Sequence, residues 1–252
     1  MRVNYDLIAH LYDSGPHRGK EVDPSLLAFL AERAEVTTML RLLDLGCGTG
    51  SQLVANQTHL PEAQFFGLDL FAGMLRQAQT KSDSIHWLQG NNAALPLASH
   101  TFDYISNQFS FHHVQDKGGM IAEVYRVLRR DSRFVMQNIA PHEMTGWVYY
   151  HYFPAAYSLD LAHYLPLDEL QNLLAESGFD NIQLKRNHFY YEQDLAHFLA
   201  LVQERVAASQ LIAIVDAAYE AGLAQLTADV NGRHQTTFTS EICLVTLLAD
   251  KK

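Results

Sequence analysis

The sequence predicts a doubly wound, mostly parallel α/β sheet, and three observations predict it. The stretch LLDLGCGTG (42–50) sets three glycines within five positions directly after an apolar run. Strand, tight turn and helix is the order such a stretch encodes. Short apolar runs bounded by turn residues then alternate with helical patterns as far as residue 140, the βαβ rhythm of a parallel sheet. The chain has 252 residues with no internal repeat, linker or low-complexity segment, enough for one large α/β domain with insertions or two small ones.

In chain order, VNYDLIAHLYD (3–13) reads as a short amphipathic helix, and SGPHRGK as a breaker-rich turn. Asp23-Pro24 starts the next helix (24–36), with Asp at the cap and Pro at the first helical position. After the glycine loop come helix SQLVANQTHL, strand 64–70, helix 71–79, strand 84–88 and the loop QGNNAALPLASH. Strand 102–107, helix 117–130 and strand 133–140 follow. Residues 141–165 are aromatic-rich with no clear period. Residues 167–177 read as a helix closed by Gly178, 179–190 as a strand, 192–229 as two helices and 239–249 as a last strand.

In an open α/β sheet the glycine loop sits where ligands bind. A Walker loop is excluded, because no Gly-Lys-Ser/Thr follows. The GxGxxG dinucleotide pattern fails as well, since Ser51 stands at its third glycine. No Lys or Arg lies between Arg41 and Arg76 to hold a pyrophosphate. Asp44 precedes the loop, and Asp69 ends the next strand, where a carboxylate accepts from two ribose hydroxyls. The ligand therefore carries a ribose and a cation but no phosphate.

Ordered along the chain, LLDLGCGTG, GLDL with Met74-Leu75, GNNAALPL, FDYISNQFSFHHV and EVYRVLRRDSRFVMQN resemble a class I S-adenosylmethionine (SAM) methyltransferase of the small-molecule, ubiquinone/menaquinone-methylase-like type. The resemblance covers about residues 1–140 and extends to the last strand. It implies a seven-stranded Rossmann-like sheet with an antiparallel last strand and helical cap insertions. It also implies a single methyltransferase domain over 1–252, with residues 1–22 covering the cofactor and 141–165 and 190–236 capping the acceptor site.

The site residues follow from the same resemblance. Gly46, Cys47 and Gly48 would lie against the methionine part of SAM, with Asp44 facing its ammonium. Asp69 would hold the ribose, and Leu70 and Met74 the adenine. Asn91 replaces the family's usual Asp and still accepts a hydrogen bond through its amide oxygen. The Asn92 backbone would pair with an adenine nitrogen, with Ala93 packed nearby. Asn107 stands where relatives place a carbonyl on the ammonium, and Asp-Ser-Arg (131–133) replaces a Pro-Gly-Gly turn. Tyr12, like Tyr5, either shields the sulfonium with its ring or is ordinary helix burial. Independently of the resemblance, Arg18 is either the partner of the SAM carboxylate, because its planar fork suits a carboxylate and a buried unpaired charge is costly, or a solvated loop arginine.

Methyl transfer from a sulfonium is an in-line displacement in which proximity, orientation and desolvation supply most of the rate. His112 and His113 either act as general bases on a hydroxyl acceptor or orient the loop. The aromatics and histidines of 141–165 either line a pocket for a small aromatic or amphipathic acceptor or glue the cap to the sheet. Their histidine spacing matches no metal-ligand pattern, so no metal is expected.

The expected activity is methyl transfer from SAM to a small molecule. The alternatives are a carrier- or protein-bound acceptor and a noncatalytic SAM binder, while the glycine spacing separates the chain from NAD oxidoreductases. A net charge of −10 disfavours a nucleic-acid partner. The tetrad of DNA amino-methylases and the Pro-Cys of cytosine C5 chemistry are absent from the sequence. No apolar run reaches the roughly 18 residues of a membrane span. Two cysteines and no charged-then-apolar leader suggest a cytoplasmic setting.

Overall fold

The computed structural model describes residues 4–14, 20–33, 39–232 and 236–252. Arg18 lies outside these residues. The chain divides into two compact units, one of residues 4–138, 168–185 and 246–252, the other of residues 139–167 and 186–245 apart from its first few residues.

Seven strands form one sheet: β1 (Arg41–Leu45), β2 (Gln64–Asp69), β3 (His86–Gln89), β4 (Phe102–Gln108), β5 (Leu128–Ile139), β6 (Asp180–Asp194) and β7 (Thr237–Lys251). Their order is β3-β2-β1-β4-β5-β7-β6. The first five pair in parallel, and β7 runs antiparallel to both β5 and β6, as the family resemblance implies. The strand order reverses between β1 and β4, the switch point at which doubly wound sheets bind ligands. Central strands of such sheets are buried on both faces. Leu42, Leu43 and Leu45 of β1, Phe65 and Leu68 of β2, and Phe102, Tyr104 and Ile105 of β4 are accordingly almost fully buried.

In the first unit, α1 (Pro24–Ala31) is capped as expected: Asp23 Oδ1 accepts from the Ser25 amide at 2.9 Å. The other oxygen of Asp23 accepts from the Tyr104 hydroxyl at 3.0 Å. Helices α2 (Ser51–His59), α3 (Ala72–Gln79) and α4 (Lys117–Val127) alternate with the strands. The expected helix over 3–13 is instead two 3-10 helices, Tyr5–Leu7 and Ala9–Ser14. Side chains pin the segment at separate points. Asp6 accepts from the Gly73 amide, Asp13 accepts from the Thr49 hydroxyl and pairs with Lys81, and Tyr5 bonds His113. Helix α4 ends three residues early because Leu128 already pairs with Phe102 in the sheet. The Asp-Ser-Arg segment makes its bend with Asp131 at φ +56°, and the register then skips so that Tyr104 faces Arg133. Helix α7 (Leu167–Glu176) precedes Gly178, which closes the helix at φ +97°.

The second unit is helical apart from its strand segments. Residues 141–165, in which no period is visible, contain a 3-10 turn (Pro141–Glu143), α5 (Val148–Tyr152) and α6 (Pro154–His163). Residues 192–229 hold three helices rather than two: α8 (Leu195–Gln203), α9 (Ser209–Ala213) and α10 (Asp216–Gly232). Strand β6 runs four residues further than expected, to Asp194. Trp147, Tyr150, Tyr152, Phe153 and Tyr164 are all buried. Trp147 packs on Tyr149 and Tyr150, and Tyr149 on Phe198. Among the described residues no helix is long and apolar enough to cross a membrane.

Candidate active site

The first three amides of the glycine loop are spent on the protein. The Gly46 and Cys47 amides both donate to the Leu68 carbonyl, at 2.7 and 3.1 Å, and the Gly48 amide donates to Asp69 Oδ2 at 2.9 Å. An anion cradle needs those N–H groups free. The loop is therefore not a phosphate cradle, in line with the absence of nearby cations in the sequence.

All three of its glycines sit at positive φ, and a Cβ on Gly50 (φ +76°) would stand 2.4 Å from the Trp87 ring. Gly46 has φ +70°, and a Cβ there would stand 2.2 Å from Ser110 Oγ. Gly48 has φ +55°, but a Cβ there would meet only Tyr12, at 3.9 Å. The first glycine admits a neighbouring loop, whereas the second leaves backbone open to a visitor.

Beside the loop lies a group of buried acceptors. Asp44 and Ser106 are register partners on β1 and β4, and Ser106 Oγ donates to Asp44 Oδ1 at 2.8 Å. Burial pushes the Asp44 carboxyl up to about 7, against the lowering effect of the Ser106 hydrogen bond. Asn107 is fully buried, and its Nδ2 donates to the Leu45 carbonyl at 2.7 Å and to Ser110 Oγ at 2.6 Å. Its Oδ1 has no hydrogen-bond partner among the described residues. Buried polar atoms rarely stay unpaired, and such an acceptor fits a ligand donor. An unpaired carbonyl oxygen and a carboxyl held near neutrality by burial suit the ammonium of SAM.

Asp69 Oδ1 accepts from the Phe71 amide and Oδ2 from Gly48, both at 2.9 Å. Burial raises its pKa and these hydrogen bonds oppose the rise. Each carboxylate oxygen keeps a further lone pair for a ribose hydroxyl. Leu70 follows on the β2–α3 turn and is half-buried, and Met74 is buried in the first turn of α3. Asn91 is exposed, and its Oδ1 accepts from the Ala93 amide at 3.0 Å in a local turn. Asn92 and Ala93 are half-buried, and Asn92 Nδ2 lies 3.9 Å from the Cβ position of Gly46. Cys47 is a buried thiol 3.8 Å from the Gly48 carbonyl.

The histidines occupy a 3-10 turn, Phe111–His113, after β4. His113 Nε2 lies 2.8 Å from the Tyr5 hydroxyl, with the two rings 5.4 Å apart edge to face. His112 is buried, lies with its ring centroid 3.9 Å from that of His113 at a 48° tilt, and sets Nδ1 3.5 Å from Asn138 Nδ2. The Tyr5–His113 pairing was not legible in the sequence, where the two stand 108 positions apart. Lys20 also reaches this region: its Nζ is 3.5 Å from Gln108 Oε1 and its charge lowers the Asp44 pKa.

Residues 43–136 match the methyltransferase-domain family. A demethylmenaquinone methyltransferase of Lactiplantibacillus plantarum is 28% identical over 221 residues, covering 77% of this chain and 90% of that protein. A methyltransferase from an antibiotic biosynthesis pathway of Anabaena variabilis shares the fold at TM-score 0.68 and 21% identity, over 89% of this chain and 96% of that one. The phosphoethanolamine N-methyltransferase 2 of Haemonchus contortus, solved with S-adenosyl-L-methionine, does so at TM-score 0.60 and 18% identity, over 99% and 58%. The domain match over residues 43–136 and the methyltransferase relatives identify the activity as SAM-dependent methyl transfer to a small molecule.

Proposed function

We propose that this methyltransferase acts on a small, amphipathic aromatic acceptor of the quinol type, in the cytoplasm. The buried pair of Asp44 and Asn107 Oδ1, beside a glycine loop whose first three amides are already spent, carries the donor half of this reading. The acceptor half is supported by the relative that methylates demethylmenaquinone and by the aromatic-rich residues 141–165.

Bound SAM supplies an electrophilic methyl on a sulfonium. Asp44 and Asn107 fix the ammonium, Asp69 holds the ribose, and Leu70, Met74 and the Asn91–Ala93 turn hold the adenine. Tyr12 stands over Gly48 and excludes water from the sulfonium. With His113 Nε2 unprotonated, the Tyr5 hydroxyl donates to it and its oxygen accepts the acceptor's hydroxyl proton. His112 backs His113 through a tilted ring contact. Residues of 141–165 and 190–236 select the acceptor.

The test is twofold. Calorimetry should show binding of SAM and S-adenosylhomocysteine but not NADH. A panel of benzoquinols and naphthoquinols, with and without alkyl tails, should then give tail-dependent turnover to methylated product. NADH binding refutes the donor assignment, and turnover confined to amine or thiol acceptors refutes the quinol assignment.

A further inference from the structure

Three donors of different chemistry converge in the second unit: the Glu143 carboxylate, His188 and the Cys243 thiol, with ligand atoms all within 4.8 Å of one another. Glu143 ends the 3-10 turn after β5, His188 is on β6 and Cys243 on β7. In sequence they are scattered, so no spacing motif betrays them.

We propose that Glu143, His188 and Cys243 form a binding site for a divalent transition metal, zinc by choice. Thiolate and imidazole select zinc over magnesium or calcium, and three protein ligands with a fourth position for water make an open tetrahedral site. Zinc bonds are about 2.0–2.3 Å long, so the donors must close in by about 1 Å. Cys243 is fully buried and fixed, whereas the side chain of His188 is 35% exposed and that of Glu143 30% exposed, which leaves these two free to move in.

The surrounding contacts suit a metal site. His188 Nδ1 bonds Glu241 Oε1 at 3.0 Å, leaving Nε2 without a partner among the described residues. A carboxylate on the far nitrogen orients a metal-binding histidine. Arg186 Nε donates to both oxygens of Glu143, at 2.8 and 2.9 Å, and each oxygen retains a lone pair. The thiolate, Glu143 and Glu241 carry three negative charges, which the dication and Arg186 together neutralise. On binding, the thiol releases its proton to solvent.

The probe is cobalt(II), added to the metal-free full-length chain. One equivalent should bind with thiolate-to-cobalt charge-transfer absorption and the intense visible bands of a four-coordinate ion, and excess zinc should bleach both. Cys243→Ser should abolish the charge-transfer band, while Cys47→Ser, changing the other cysteine of the chain, should keep it. Should Cys243→Ser fail to fold, the more exposed His188→Ala should weaken binding at least about 100-fold, and Glu241→Gln about 10-fold. Absence of a charge-transfer band in the wild type, a band lost with Cys47 instead, or cobalt affinity unchanged in His188→Ala overturns the proposal.

Discussion

Ser106 Oγ donates a 2.8 Å hydrogen bond to Asp44 Oδ1, and neither residue is more than 4% exposed. The carboxyl has this one side-chain donor and no ion pair among the described residues. Burial therefore holds it far above its ordinary 3.8, at about 7. A buried acid that is costly to ionise is worth keeping where a cationic ligand ionises it.

The sign of the pH effect follows. Asp44 titrates at about 7 in the free protein, and an ammonium lowers that value. SAM affinity should fall about 10-fold between pH 8 and pH 6, as ionised Asp44 becomes scarce. Asp44→Asn should remove this dependence and cost about 1.5–3 kcal/mol of SAM binding. Its stability should change in the opposite direction. A carboxyl raised on folding stabilises fully below 3.8 and loses that contribution as pH rises through about 7. Free Asp44→Asn should accordingly melt higher than wild type at pH 8. Calorimetric titrations at several pH values and thermal melts check both halves, and a pH-independent wild-type affinity would sink the ammonium assignment.

Asp69 ties Gly48 to Phe71, so the proposed ribose role would make it serve the fold and the ligand together. Asp69→Ala should weaken SAM by about 1.5–3 kcal/mol and also lower the melting temperature. A folded variant with undiminished affinity would remove Asp69 from the ribose site.

The parts of this site legible in the sequence are those whose chemistry is local. The glycine loop, Asp44 before it and Asp69 at the next strand end are set by one βαβ unit, so spacing alone places them. The unpaired Asn107 Oδ1 depends on Ser110 and on the Leu45 carbonyl, 62 positions away. Residues 3–13 show helical periodicity, yet contacts to Gly73, Thr49 and His113 impose two 3-10 turns. Tertiary contacts outweigh propensity in so short a segment. Residues 141–165 hide three helical pieces because Tyr150, Tyr152 and Phe153 are buried on several sides, which erases the amphipathic stripe.

The Tyr5–His113 pair predicts a rate effect without a binding effect. Tyr5→Phe and His113→Gln should each lower kcat about 100-fold with a hydroxyl acceptor, while SAM affinity changes little. Both losses should shrink at high pH, where the acceptor ionises unaided. Equal losses in kcat and SAM affinity would instead make the pair a structural latch of the N-terminal segment.

Trp147 separates acceptor selection from packing. It is 9% exposed and lies against Tyr149 and Tyr150 in its own unit. Trp147→Phe should alter turnover across a quinol panel more than it alters SAM affinity. Parallel losses in both, with a lowered melting temperature, would mark Trp147 as core alone.

The carboxylate of SAM needs a cation, because the Gly46, Cys47 and Gly48 amides are spent and Asp44 and Asp69 are acidic. Arg18 is the expected partner from the sequence and lies outside the described residues, so the prediction is framed against Lys20. Lys20 lies near enough to lower the Asp44 pKa, and its Nζ reaches Gln108. An arginine fork makes two charge-assisted bonds to a carboxylate where a lysine acts as a point charge. Arg18→Ala should therefore weaken SAM by about 1.5–3 kcal/mol, with Arg18→Lys recovering only part. Lys20→Ala should have the smaller effect. A truncated analogue of SAM lacking the carboxylate should bind wild type and Arg18→Ala equally, since the lost contact is absent from both. If Lys20→Ala shows the larger loss and Arg18→Ala binds SAM like wild type, the clamp is Lys20 and the arginine assignment falls.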